Sequence, residues 1–242
     1  MKITIIFTVL PILASCFVFP SLELPRSVYE KAKLVQPSEL YVTCDDVLFN
    51  KAQKDFNKQI SDVYSVQDLT WKQAVELETQ VLGAMKGTPE KFLKVCDSRK
   101  KFFQTLKTMW DSCINRYYLL QKLDGTKATN ISAPFIYVQM WDKLDFLCNA
   151  GLEPALHDQF YTDTFKNNPK FEDCEKAYLD SLNKDATKYC GTTQTFLDCT
   201  DKAFIDYDDK IASGWFVCET VRAGYAPDCP DLRCYVIKPS KL

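Results

Sequence analysis

TPEKFLKVCDSRKKFFQTLKTMWDSCINRYYLLQKLDG, residues 88–125, decides the fold class. Apolar side chains recur at Phe92, Val95, Cys96, Phe103, Leu106, Trp110, Cys113, Ile114, Tyr117 and Leu120, with Lys94, Lys101, Lys107, Asp111 and Asn115 opposite. Steps of three and four are the period of an amphipathic helix. Thr88 is placed to cap it, Pro89 suits its first position, Glu90 favours its positive end, and Gly125 stops it. The reading gives one helix of about 35 residues, about 50 Å long, with room for a kink.

The same punctuation continues in both directions. Upstream, Leu48, Ala52, Phe56, Ile60 and Val63 form a stripe behind Thr43 as cap. Trp71, Ala74, Val75, Leu82 and Met85 form another, closed by Gly87. Downstream, a polar loop at 126–133 leads to a helix from Pro134 through Tyr137, Met140, Trp141, Leu144, Leu147 and Cys148, interrupted at Gly151 and Pro154. Asn168 and Pro169 open a further helix that carries Phe171, Cys174, Tyr178 and Tyr189 to Gly191. Thr192 or Thr193 caps the next, through Phe196, Cys199 and Phe204, and a last one covers Lys210 to Arg222 and ends at Gly224. A short helix near Val28 to Val35 lies in the lead-in. No stretch alternates like a strand. The expectation is an all-α, disulfide-stapled bundle of six to seven helices with one long central helix. Its parts are a signal segment 1–16, a lead-in 17–43, an N-terminal helical pair 44–87, a disulfide-rich domain 88–234 and a tail 235–242.

The N-terminus, MKITIIFTVLPILASC, has the layout of a secretory signal: Lys2, an apolar run Ile3 to Leu13, and small residues Ala14-Ser15-Cys16 at the cut. An uncleaved anchor through Phe19, or a bacterial lipoprotein signal with Cys16 lipidated, are the other readings of that segment. Of eleven cysteines in the chain, removing Cys16 leaves ten: Cys44, Cys96, Cys113, Cys148, Cys174, Cys190, Cys199, Cys218, Cys229 and Cys234. An even set in an exported chain reads as five bridges. With 46% apolar and 13% aromatic residues the chain also has a core of its own, so the bridges add to packing and do not replace it. A net charge of −2 gives no electrostatic reason for a nucleic-acid partner. No second apolar run of spanning length follows the signal, so no stable membrane span is expected.

If residues 88–125 and the helix from Pro134 form an antiparallel hairpin, Cys113 lies about 17 Å and Cys148 about 21 Å from the turn. Both lie on apolar stripes, so a Cys113–Cys148 bridge is expected. The prolines of YAPDCPDLRCYVIKP exclude a helix, and its two cysteines are expected to pin the tail to the body.

The strings KLDFLCNAGLE around Cys148, FEDCEKAYLDSLNKDATKYC, TFLDC around Cys199 and CETVRAGYAPDC, with the Cys96 to Cys113 helix, resemble a nematode-expanded family of secreted helical domains, domain of unknown function nineteen. The likeness covers roughly residues 90–234. It implies an all-helical, disulfide-bonded secreted domain and no catalytic residues. Phe160 and Tyr207 stand where the family pattern leads one to look for further cysteines.

Candidate chemistry is sparse. His157 is the single histidine, and any Ser-His-Asp or Cys-His site would need it. The neighbouring Asp158 completes an HD pair like that of secreted phospholipases, but EPALHDQFY has neither the flanking cysteines nor a calcium loop upstream. Zinc spacing is missing, and Asp206-Tyr207-Asp208-Asp209 lacks the glycine and distal glutamate of a calcium loop. No metal or cofactor is expected. Asn130-Ile131-Ser132 is an N-glycosylation sequon in a polar loop. Arg99-Lys100-Lys101 is a solvated face or a surface for an acidic partner. Phe102, Phe103, Trp110, Tyr117, Tyr118, Phe135, Tyr137, Trp141 and Phe146 are core, or the wall of an apolar cavity. The leading expectation is a secreted, non-enzymatic protein acting through contact with an extracellular protein. The alternative is a carrier of small apolar ligands or lipids. A filled core with an exposed apolar patch favours the first, and a large aromatic-lined cavity favours the second.

Overall fold

A computed structural model describes residues 21–32, 34, 43–62, 64–123, 131–157 and 168–236. The expected signal segment, the sequon at Asn130 and the side chain of His157 lie outside them. In chain order the helices are α1 (Arg26–Lys31), α2 (Asp46–Ile60), α3 (Tyr64–Gln67), α4 (Ala74–Ala84), α5 (Pro89–Leu106), α6 (Trp110–Cys113), α7 (Arg116–Gln121), α8 (Ser132–Cys148), α9 (Leu152–His157), α10 (Pro169–Lys184), α11 (Tyr189–Asp208) and α12 (Ile211–Tyr225). Among the described residues there is no strand, and α2, α4, α5, α8, α10, α11 and α12 are the helices of eleven residues or more. The chain is an all-α bundle.

Local chemistry sets most of the boundaries. Thr88 caps α5 by accepting the Lys91 N–H, with Pro89 at the first position. Asn168 does the same for α10 toward Lys170, again with proline behind it. α2 differs from expectation: Asp45, not Thr43, is the cap, and its carboxylate accepts the N–H groups of Val47 and Leu48 at 2.9 and 3.0 Å. A carboxylate is the stronger acceptor at the positive end of a helix. Gly87 turns the chain between α4 and α5 at a φ of 95°, where a side chain is strained.

The expected 88–125 helix is three pieces. α5 stops at Leu106, and Lys107 takes φ 50°, ψ −121°. The chain then makes a 3₁₀ turn, runs through α6, and restarts at Asn115, whose side chain caps α7 by accepting from Tyr117 and Tyr118. The central helix is instead α8, which touches α4, α5, α7 and α12. The break also overturns the Cys113–Cys148 bridge. α5 and α8 are antiparallel, but their register follows from the short α5, so Cys96 faces Cys148 and Cys113 folds back to Cys44. The stripe on α5 is rotated as well: Phe92, Val95, Phe102 and Leu106 are buried, and Phe103 is 45% exposed.

Two further boundaries differ. α10 ends at Lys184, because Asp185 accepts the Thr187 N–H and starts a new turn. α11 then begins at Tyr189, so Gly191 lies inside it. Thr193 is no cap but a buried side chain, bonding to the Tyr189 carbonyl at 2.8 Å and to the Tyr178 hydroxyl at 3.0 Å. Gly224 likewise lies inside α12.

All ten expected cysteines are paired: Cys44–Cys113, Cys96–Cys148, Cys174–Cys199, Cys190–Cys229 and Cys218–Cys234, with Cα atoms 5.0–5.8 Å apart. The last two pin the tail to α11 and α12, as expected. One hydrophobic cluster runs through the whole bundle. Peptide mapping without reduction is expected to recover these five links, and a Cys113–Cys148 peptide would overturn the α5–α8 register.

Close helix contacts depend on two glycines. A Cβ on Gly214 of α12 would lie 2.5 Å from the Asp201 carbonyl of α11, and one on Gly224 would lie 3.1 Å from Lys143 Cε of α8. Gly214→Ala is expected to lower stability by about 1–3 kcal/mol through overpacking, despite the better helix propensity of alanine. The midpoint of urea unfolding measures it, and an unchanged or raised midpoint would show that α11 and α12 have slack.

Candidate functional site

Leu93, Cys96, Lys100 and Phe103 are spaced three, four and three along α5 and therefore share one strip. The Cys96–Cys148 bridge holds this strip against the C-terminal end of α8. Between them lies an open groove of about 610 Å³, with Asp97, Arg99, Gln104, Asp145 and Asn149 completing its walls. Leu93 and Phe103, 42% and 45% exposed, are the apolar edges.

The charges of the groove are largely committed to one another. Arg99, with only 12% of its side chain exposed, donates to Asp145. Its guanidinium lies 5.5 Å from the centre of the Trp110 ring, a cation–π contact. Asn149 also donates to Asp145, at 2.9 Å. Lys101 pairs with Asp97 at 2.6 Å. Lys100 is exposed and, among the described residues, meets no carboxylate. The Arg99-Lys100-Lys101 run thus does three separate things: one residue is structural, one is paired outside, and one leaves a positive charge in the groove.

Behind the groove Asp142 of α8 sits close to Arg99 of α5, Arg116 of α7 and Asp145 of its own helix, with its Oδ2 buried and, among the described residues, without a hydrogen bond. Burial, helped by Asp145, pushes its carboxyl up to about 7 against the opposing pull of the two arginines. Arg116 in turn pairs with the nearly buried Asp228 of the tail. Near Lys143 of α8, Glu175 of α10 is also raised to about 7, by burial and by Glu172, with Lys143 opposing.

Other expected sites separate. Asp206 is held by Lys170 and Lys202, at 2.9 and 2.8 Å. Among the described residues no group of three or more His, Cys, Asp or Glu is placed to hold a metal ion. A smaller groove of about 320 Å³ lies where Lys122 and the Tyr118 hydroxyl both engage Asp46 beside Trp71. Sequence reading picked out Lys100 and Phe103. It missed Leu93 and Asp142, and passed Asp145 and Asn149 only within the KLDFLCNAGLE string without a role, because these residues become neighbours only through the α5–α8 register. Neither a family model, nor a curated protein, nor a solved structure matches this chain.

Asp142 and Glu175 set a pH dependence. A carboxyl whose folded pKa lies above its unfolded value binds its proton more tightly when folded. Its contribution is full below the unfolded value, near about 4, and is lost as pH rises through about 7. The protein is therefore expected to melt at a higher temperature near pH 5 than near pH 8, by roughly several degrees. Asp142→Asn should reduce the dependence, and Asp142→Asn with Glu175→Gln should reduce it further. Equal melting of the unmodified protein at both values would refute the assignment.

Proposed function

We propose that this protein is a secreted, disulfide-stapled module that works by binding another macromolecule at its surface, without catalysis. The observation that carries this reading is a filled aromatic interior beside an open groove with apolar edges. Phe102 and Trp141 stack with centroids 4.4 Å apart, Phe56 lies 4.8 Å from Trp141, and Trp110 closes on Trp141 at 5.6 Å. Tyr137 meets Trp141 at 6.0 Å and Phe49 at 6.1 Å. Side chains in mutual contact at these distances leave no room among themselves for a lipid chain. The groove, in contrast, presents Leu93, Phe103 and Lys100 to solvent. Exposed apolar side chains with a polar rim are the usual composition of a contact surface.

Five bridges and the finding that, among the described residues, no helix is long and apolar enough to cross a membrane both agree with an extracellular location. The sequence likeness to the nematode family of domain of unknown function nineteen points the same way. The competing reading, a carrier of apolar ligands, loses its support where the aromatics pack on each other.

Native mass spectrometry of the protein purified from a eukaryotic secretion host separates the two. The expected mass is that of the polypeptide, with glycan on Asn130, and no co-purifying apolar molecule. A stoichiometric lipid would overturn the surface-binding reading in favour of the carrier.

A further inference from the structure

The α11–α12 turn carries the counterpart of the groove. Tyr207 and Ile211 are 46% and 50% exposed, and Asp209 lies between them on the surface. Asp206 is taken up by Lys170 and Lys202, but Asp209 meets no cation among the described residues. The groove on α5 and α8 is the same arrangement with the sign reversed: two exposed apolar side chains, Leu93 and Phe103, and one unspent charge, Lys100.

The Leu93 edge of the groove and the 207–211 turn lie toward the same end of α8. Cys96 meets Cys148 and Arg99 meets Asp145, so α5 runs antiparallel to α8 and Leu93 lies level with the first residues beyond α8. Phe216 meets Phe146 at 5.9 Å and Gly224 lies against Lys143 and Gln139, so α12 also runs antiparallel to α8. That places Ile211 at the same level, on the α12 side.

We propose that the groove receives the 207–211 turn of a second copy of this chain, twice over, in a two-fold symmetric dimer. This rests on reading the groove as a contact surface and names the occupant. The uncommitted charges of the two patches, Lys100 and Asp209, are opposite, although Lys210 stands beside Asp209 and Asp97 and Asp145 line the groove. Two such patches can each meet the other across a two-fold axis, in an interface that closes on itself. Asp209 pairs with Lys100 of the other copy, and Tyr207 and Ile211 cover Phe103 and Leu93. The contact is part electrostatic, so it weakens as salt rises.

Sedimentation velocity of the full disulfide-bonded protein over a concentration series tests this. The unmodified protein is expected to pass from monomer to dimer, at higher concentration in high salt. Lys100→Glu, and Asp209→Asn (chosen because asparagine tolerates the left-handed backbone at this position), should each weaken the dimer about tenfold or more. Lys100→Glu with Asp209→Lys in one chain should recover it, with thermal melting used to confirm that every variant folds. A protein that stays monomeric at all concentrations, a dimer indifferent to the single changes, or a double variant that does not recover would each overturn the proposal. A monomer that carries no lipid in native mass spectrometry would sink the dimer alone, whereas a lipid-loaded protein would sink the surface-binding reading beneath it.

Discussion

The structure depends on burying α8 from nearly every side. Twelve of its seventeen residues are buried, from Ser132 to Leu147, and α4, α5, α7 and α12 all pack on it. Asp145 is the one exposed residue of this helix, so each of its other polar residues brings a requirement with it. Tyr137 donates its hydroxyl to Gln53 of α2. Lys143 reaches Glu78 of α4 at 3.4 Å and the Ser21 hydroxyl at 2.9 Å, while Ser21 donates its backbone N–H to the same Glu78 at 2.8 Å. Burial depresses the Lys143 ammonium, and Glu78 and Glu175 oppose that. Removing one partner of such a buried pair strands the other, at a cost of about 3–5 kcal/mol. The segment before α1 is thereby fixed to the centre of the bundle, and Gly224 packs closely on the Lys143 stem, whose Cε lies 3.1 Å from where a Cβ would stand.

The bridges divide the chain where α8 does not. Cys44–Cys113 and Cys96–Cys148 link only residues up to 148, and the other three link only residues from 174 onward. No covalent link among these joins the two sets, so non-covalent contacts hold them together: α8 on α12, α1 on α10 and on the turn at Ala186–Lys188, and the Arg116–Asp228 pair. The cross-links restrict the unfolded chain within each set. The juncture between the sets therefore rests on side-chain packing and on the nearly buried Arg116–Asp228 pair.

The helical fold was legible from periodicity and from caps that combine a short polar residue with proline, as at Thr88-Pro89 and Asn168-Pro169. Gly87 and Gly151 do fall between helices, but the boundaries assigned to Gly191 and Gly224, like the caps assigned to Thr43 and to Thr192 or Thr193, do not match the structure. Gly191 and Gly224 lie within helices, chosen for close approach or simply tolerated, while the true restarts use Asn115 and Asp185, polar residues that satisfy backbone N–H groups. Both were visible in the sequence, but a continuous apolar stripe outweighed them. Disulfide connectivity followed the same error, since a register counted from the wrong turn moves every cross-helix neighbour. Lys100 and the aromatics were legible as candidates. Their division into core and surface was not, because Phe102 and Phe103 are adjacent residues of one type and only the rotation of α5 decides which is buried.

The break at Lys107 links the fold to the proposed surface. A helix continuing past Leu106 would carry Trp110 onward along α5. With the chain turned at Lys107, Trp110 closes on Phe102 at 5.8 Å and Trp141 at 5.6 Å, and its ring lies against the Arg99 guanidinium. Arg99 is thereby held down toward Asp145 and does not extend into solvent beside Lys100. Phe103 touches the same indole at 5.2 Å from outside, so part of its ring is supported while the rest stays in water. One backbone turn thus completes the aromatic core and leaves a supported aromatic beside the exposed Lys100 ammonium on its outer face. The features that favour a contact surface over a ligand cavity have a common origin in that turn.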